Sequence, residues 1–184
     1  MKPTLVNTSD YGIKGINFYW TRAERFNITT EELNEVGVFD EHAYVSETII
    51  APLQVANEQF KTLGYELIVK DAYRSPELYH LIKAKRDILH GEEITSALLN
   101  MIKMPHSTGH TVDINLIDLN TDEEVKMRNP EEDPQAFFID FYRERTEKKC
   151  IEYQRLQDIL IGGMLSAGFE LGGKKEFWHF EYPH

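Results

Sequence analysis

His106 and Asp113 stand seven residues apart, with Gly109 between them, in Pro105-His106-Ser107-Thr108-Gly109-His110-Thr111-Val112-Asp113. Neutral imidazole and carboxylate are both ready ligands for zinc, at about 2.0–2.2 Å. Glycine takes backbone angles that other residues avoid, so Gly109 can fold His106 back over the segment that follows. Glu176-Phe177-Trp178-His179 adds a third ligand, His179, and a second carboxylate. Together these residues outline a catalytic zinc site with three protein ligands and one position open to water. A zinc site of this kind lowers the pKa of bound water toward neutrality. A carboxylate beside that water must take its proton and return it to the leaving amine, and Glu176 suits the task. Attack on a carbonyl builds negative charge on oxygen, and Arg74 is the cation placed to stabilise it.

Each of these residues also has a plainer reading. His106 alone would be a structural histidine. Glu176 could be a solvated acid beside Lys174 and Lys175, and Arg74 a surface partner of Asp71 or Glu77. His110 makes a four-residue spacing with His106 that would suit a zinc-binding helix. Gly109 and the alternating run after it argue against a helix there. Cys150 has no second cysteine to share a metal with, and Phe137, Phe138, Phe141 and Tyr142 read as a core stripe.

The elements that must position these groups are legible in outline. Val112, Ile114 and Leu116 alternate with Thr111, Asp113 and Asn115, the pattern of a half-buried strand running to about Asp118. Tyr65 to Val69 reads as a strand that leads into Asp71-Ala72-Tyr73-Arg74-Ser75-Pro76. Ser75 as N-cap and Pro76 at the first helical position start a helix that runs to about His90, before Gly91. Arg74 therefore falls at a strand-to-helix corner. Further helices are expected over Glu47–Leu63, Ile94–Ile102, Ala136–Arg145 and Cys150–Ala167, with a helical turn capped by Thr29 or Thr30. Short strands are expected at Ile16–Trp20, Val125–Met127, Phe169–Leu171 and Phe177–Tyr182, with a loop over 172–175. Glu176 and His179 are oddly spaced, so a continuous strand would point them to opposite faces. Glu176 is therefore expected in a loop or bulge, with regular pairing starting after it.

A chain of 184 residues is expected to form one domain, 1–184, with a sizeable core. Its net charge of -11 disfavours nucleic acid as a partner, because phosphate binding needs clustered Lys and Arg. No apolar run approaches the roughly 18 residues of a membrane span, so no membrane partner is expected. One cysteine cannot form an internal disulfide, and the start of the chain turns polar too early for a signal peptide. Both features point to a cytoplasmic protein. Irregular mixing of helices and hairpins favours the α+β class.

The pattern His106-x-x-Gly109-x-x-x-Asp113, followed by Glu176-x-x-His179, resembles the zinc D,D-peptidases, which share a fold with the Hedgehog N-terminal domain. Asp71-Ala72-Tyr73-Arg74 resembles the Asp-Gly-Tyr-Arg segment of that family. Order and spacing fit the D-alanyl-D-alanine dipeptidase (VanX-type) branch best. Thr121 to Met127 resembles its hairpin, and Arg155 to Phe169 its last helix; the likeness runs from about Glu47 to Tyr182. The resemblance implies a central antiparallel sheet flanked by helices. It implies a single zinc ion held by His106, Asp113 and His179, with Glu176 as general base and acid and Arg74 at the transition state. It further implies that Glu132 or Asp133 holds the substrate ammonium. The family's serine two residues before the first histidine, which helps bind the substrate carboxylate, is Met104 here, and its alanine two residues before the aspartate is Thr111. Losing a hydrogen bond to a charged group costs roughly 1.5–3 kcal/mol, so Met104 bears on substrate preference.

Three functions follow as expectations. The first is a zinc dipeptidase acting on D-Ala-D-Ala or a similar short D-containing dipeptide. The second is a D,D-carboxypeptidase or endopeptidase acting on peptidoglycan stem peptides. The third is a non-catalytic zinc-binding module, which Glu176 and Arg74 argue against.

Overall fold

The computed structural model describes residues 3–173 and 176–183. The two lysines of the loop expected over 172–175 lie outside the described residues. In chain order the first elements are β1 (Leu5–Asn7), β2 (Lys14–Gly15), α1 (Phe18–Thr21), α2 (Thr30–Glu35), β3 (Tyr44–Ser46), α3 (Ile50–Thr62), β4 (Tyr65–Asp71), α4 (Pro76–His90) and α5 (Glu92–Leu98). A 3-10 turn over Pro105–Thr108 then leads into β5 (Thr111–Asp118), β6 (Glu123–Glu124), α6 (Lys148–Ser166), β7 (Glu170–Leu171) and β8 (His179–Glu181).

The main sheet runs β2-β4-β5-β8-β7, with β6 pairing on β5, and β1 pairs with β3 separately. Pairing is antiparallel among β4, β5, β8, β7 and β6, as expected, but β2 joins β4 in parallel. That parallel pair is joined through a long crossover carrying α1 to α3, as parallel neighbours require. The alternation of β5 is observed: Val112, Ile114 and Leu116 are buried in the main core. There they meet Leu53, Ala56 and Phe60 of α3 and Leu156, Leu160 and Met164 of α6. Burial of whole aliphatic side chains, at roughly 1.5–3 kcal/mol each, fixes which face of β5 is inward. A one-residue slip would turn Asp113 into this core. The opposite face, carrying Thr111, Asp113 and Asn115, lines a cleft. Beyond the cleft a second apolar cluster joins Tyr19, Phe26, Leu33, Leu78, Tyr79 and Ile82.

Local rules explain the ends of the site-bearing elements. Ser75 caps α4 by accepting from the Leu78 amide at 3.1 Å, with Pro76 in the first turn. Thr29 caps α2 in a full capping box with Glu32. Two expectations fail. Ile16–Trp20 is not a strand: Asn17 accepts from the amides of Tyr19 and Trp20 and starts the helical turn α1. Ala136–Arg145 is a run of turns rather than a helix, with Asp140 at φ 62, a backbone conformation that a continuous helix cannot contain. The other elements shift by a few residues. The helix expected at Ile94–Ile102 is α5; Val125–Met127, expected as a strand, is not one, and the return pairing is made just before it by the two-residue β6.

Candidate metal centre

The site is built across three neighbouring strands. Asp113 of β5 lies opposite His179 of β8 in register. On its other side, a register shift between Val69 and Asp71 brings Asp71 of β4 opposite Asp113. Directly opposed residues share one face of a sheet with Cβ atoms about 4.5–5.5 Å apart. Asp71, Asp113 and His179 thus form a row.

His106 is brought to this row by the 3-10 turn. Gly109 ends the turn at φ 76, and a Cβ there would stand 3.1 Å from the Ser46 amide nitrogen. The turn is bonded to the β4–α4 corner on several sides. The His106 amide donates to the Tyr79 hydroxyl at 3.1 Å, and the Arg74 amide donates to the His106 carbonyl at 3.2 Å. His106 Nδ1 lies 2.8 Å from the Ala72 carbonyl. That oxygen can only accept, so Nδ1 carries the proton and Nε2 keeps its lone pair. Nε2 faces Asp113 Oδ1 at 3.7 Å. Burial, reinforced by the Arg74 charge, pushes the His106 pKa well down and keeps the ring neutral, the form that ligates.

His179 presents Nδ1 to the same carboxylate oxygen, 2.7 Å from Asp113 Oδ1. Its ring packs edge-on to that of His106, with centroids 5.1 Å apart. Burial opposes charge on His179, but the hydrogen bond and charge of Asp113 outweigh it and raise its pKa. For Asp113, burial alone would raise the pKa; the two histidines and Arg74 overcome it and lower it. Gly172 makes room for this ring, since a Cβ there would fall 2.0 Å from His179 Cδ2.

One ligand atom each from His106, Asp113 and His179 lies within 4.8 Å of the others, so the cluster can hold one metal ion. Two imidazole nitrogens and one carboxylate oxygen are a donor set that suits zinc. The ligand protons fit as well. The Nδ1 proton of His106 is already placed on a backbone carbonyl, a common way of orienting a ligating histidine. His179 Nε2 faces Glu181 Oε1 at 3.7 Å, so the proton displaced from Nδ1 has an acidic neighbour.

Arg74 also reaches this point. Its Nη2 donates to Asp71 Oδ2 at 2.6 Å and stands 4.0 Å from Asp113 Oδ2. Asp71 is 4 % exposed, so the expected surface pairing is a buried one. Burial raises the Asp71 pKa and the Arg74 charge counteracts it. Burial likewise opposes charge on Arg74, yet the Asp71 carboxylate outweighs it and the guanidinium stays charged. Asp71, expected only as an ordinary salt-bridge partner, is the residue that holds Arg74. Its signal in the sequence was the Asp-x-x-Arg spacing at the corner.

Glu176 lies outside the regular strand, as the odd spacing required. It makes an isolated bridge with Phe138, and its carbonyl accepts from the His179 amide at 3.2 Å. It lines the same cleft as the three ligands and Arg74, and its charge acts on His179. The cleft has a volume of about 1530 Å³. Arg128, unforeseen from the sequence, sits over the Trp178 ring at 4.6 Å on this side.

Other expected positions are not brought together with the cluster. Glu132 accepts from Lys149 of α6, and Asp133 accepts from Arg145 at 3.4 Å; neither is among the residues lining the cleft. Their basic partners on and before α6 draw them aside. Met104 precedes the 3-10 turn at φ 43, and its side chain packs against the second apolar cluster. His110 lines the cleft but takes its ring to Thr48 Oγ1, 2.9 Å from Nε2. Cys150 is buried with Ala136 and Tyr142. Among the described residues, no helix is long and apolar enough to cross a membrane.

No protein-family model and no curated protein matches the chain. Solved structures do. An LD-carboxypeptidase, LdcB, described in terms of peptidoglycan recognition, aligns with 76% of this chain and 59% of its own at 17% identity, TM-score 0.50. A variant of the vancomycin-resistance D,D-pentapeptidase VanY, in complex with Zn(II), aligns over 76% of this chain and 73% of its own at 16% identity, TM-score 0.51. The D,D-dipeptidase VanXYg, bound to a D-Ala-D-Ala phosphinate analogue, covers 97% of this chain and 66% of its own at 15% identity, TM-score 0.45. The chain thus spans only 59% of the length of LdcB. The likenesses to LdcB and VanY show the fold, a D,D-peptidase-like α+β arrangement.

Proposed function

We propose that the protein is a zinc-dependent peptidase that cleaves D-Ala-D-Ala or a similar short D-residue-containing peptide. One observation carries this reading: two imidazoles and a carboxylate converge in the lining of a cleft that Arg74 and Glu176 also line. The VanY variant is in complex with Zn(II) and VanXYg with a D-Ala-D-Ala phosphinate analogue, which agrees with the reading without carrying it.

In this reading His106 Nε2, an Asp113 oxygen and His179 Nδ1 would hold the ion. Zinc bound there supplies a water activated at neutral pH and a Lewis acid for the scissile carbonyl. Glu176 takes the proton from the attacking water and returns it to the leaving amine. Arg74, held by Asp71, stabilises the negative charge that grows on the carbonyl oxygen. Because Asp71 fixes the guanidinium beforehand, little reorganisation is needed as that charge develops.

A second reading, a carboxypeptidase or endopeptidase acting on peptidoglycan stems, is favoured by two features. The cleft is larger than a dipeptide fills, and Glu132 and Asp133 are engaged with Lys149 and Arg145 rather than turned to a free ammonium. The discriminating experiment is zinc-dependent hydrolysis of free and N-acylated D-Ala-D-Ala, with the L,L and mixed isomers alongside. Preference for the free D,D-dipeptide supports the dipeptidase. Equal or faster cleavage of the acylated form moves the assignment to stem peptides, and hydrolysis of none removes the enzymatic reading.

A further inference from the structure

The cleft continues past Arg74 into a wall of arginines and aromatic rings that the proposed chemistry does not use. Arg22 Cζ lies 4.5 Å from the centre of the Phe18 ring, and Arg86 Cζ lies 5.7 Å from that of Phe26. The two rings are 6.0 Å apart, and Tyr19 touches both, at 5.2 and 5.4 Å. On its other side Tyr19 meets the guanidinium of Arg74 at 5.2 Å. One stacked unit therefore joins Arg74 to Arg22 and Arg86, and all three arginines line the same cleft.

The hydrogen-bonding capacity of this wall is unspent. Arg22 Nη1 and Arg86 Nε are buried N–H groups without a hydrogen-bond partner among the described residues. A buried donor left unpaired costs about 1–3 kcal/mol, more when charged, so such groups call for an explanation. Arg22 acts electrostatically on Glu124, but that carboxylate is already taken by Lys70 and Asn115. In a chain of net charge -11, with 31 acidic residues against 20 basic, cations whose N–H groups stay unspent run against the composition. Stacking on Phe18 and Phe26 holds the two guanidiniums in place; no hydrogen bond or ion pair to a described residue takes up either one, and both residues line the cleft, where a planar oxyanion could meet them once the two buried N–H groups shift toward it.

We propose that Arg22 and Arg86 form an anion subsite that takes a carboxylate of the peptide substrate on the Arg74 side of the metal cluster. The inference rests on the peptidase reading for the identity of the ligand, and it makes substrate choice depend on a negative charge at that side. The carboxylate has two sources, the terminal one and one on an acidic side chain.

The test measures binding, so that it does not depend on turnover. Zinc-loaded protein carrying Glu176→Gln is titrated calorimetrically with D-Ala-D-Ala, with its C-terminal amide, with D-Ala-D-Glu and with inorganic phosphate. The same titrations are repeated after adding Arg22→Gln or Arg86→Gln. A charge-assisted hydrogen bond corresponds to about 10- to 100-fold in affinity, so the free acid should bind at least tenfold better than the amide. Each arginine variant should erase most of that ratio, and Arg22→Lys should restore part of it. Selective loss for D-Ala-D-Glu, with the acid-to-amide ratio intact, assigns the subsite to a side-chain carboxylate. Unchanged ratios for every ligand in both glutamine variants overturn the proposal, as does binding of inorganic phosphate alone among the probes. Hydrolysis by the otherwise wild-type enzyme is scored separately: an inactive enzyme that still shows the arginine-dependent ratio sinks the peptidase reading and leaves the subsite standing.

Discussion

The two sides of the metal cluster are built in different ways. His106 sits on a turn bonded to the β4–α4 corner through Tyr79, Ala72 and Arg74, and its neighbour Arg74 is locked to buried Asp71. Glu176 sits among turns, with an isolated bridge to Phe138 as its regular pairing and Arg128 and Trp178 stacked nearby. Ligands that must meet at fixed distances are held by strands in register and by buried hydrogen bonds. Glu176, the acid proposed to exchange protons, is carried on a segment with only an isolated bridge. In the proposed reading His106 and Arg74 on the first side serve the metal and the carbonyl oxygen, while Glu176 on the second side, three residues before the ligand His179, serves proton transfer, and substitutions should separate these roles.

The largest effects should come from the cluster itself. His106→Ala or Asp113→Ala is expected to lose bound metal and all peptide hydrolysis, read by metal analysis beside a rate assay. Next is Glu176→Gln, which should keep the metal and lower kcat by about 10²–10⁴-fold, the usual range for a general base. Loss of metal in this variant would dissolve the distinction between the two sides. Arg74→Ala should lower kcat by roughly 10²–10³-fold with little change in bound metal. Asp71→Asn should fall between Arg74→Ala and the parent, because it removes the charge that fixes the guanidinium. Tyr79→Phe tests the bracing of His106: it strips the acceptor from a buried amide and should cost about 1–3 kcal/mol in denaturant unfolding. The smallest change belongs to Phe138→Ala. Phe138 is 43 % exposed and does not line the cleft, so its removal should alter stability by less than about 1 kcal/mol and leave KM and kcat near those of the parent.

Much of this could be read from the chain before its folding was known, for reasons tied to particular residues. The alternation around Asp113 allows one burial pattern, and Ser75-Pro76 allows one helix start, so the corner bearing Arg74 followed directly. The odd spacing of Glu176 and His179 forced the glutamate off the strand. Other features depend on contacts that local sequence does not encode. The aromatic run at 137–142 has helical spacing, yet Asp140 adopts a positive φ and the segment folds as turns. Asn17 could have led into a strand, but its side chain caps a helical turn. The places of Glu132 and Asp133 are set by Lys149 and Arg145, more than ten residues further on. The register shift that sets Asp71 opposite Asp113 has no marker in the sequence.

Anomalous X-ray diffraction at the zinc edge, on crystals of the zinc-loaded protein, tests the central claim most directly. The account predicts one strong peak per chain, within bonding distance of His106 Nε2, an Asp113 oxygen and His179 Nδ1. A peak elsewhere, or none between those three side chains at saturating zinc, would contradict it.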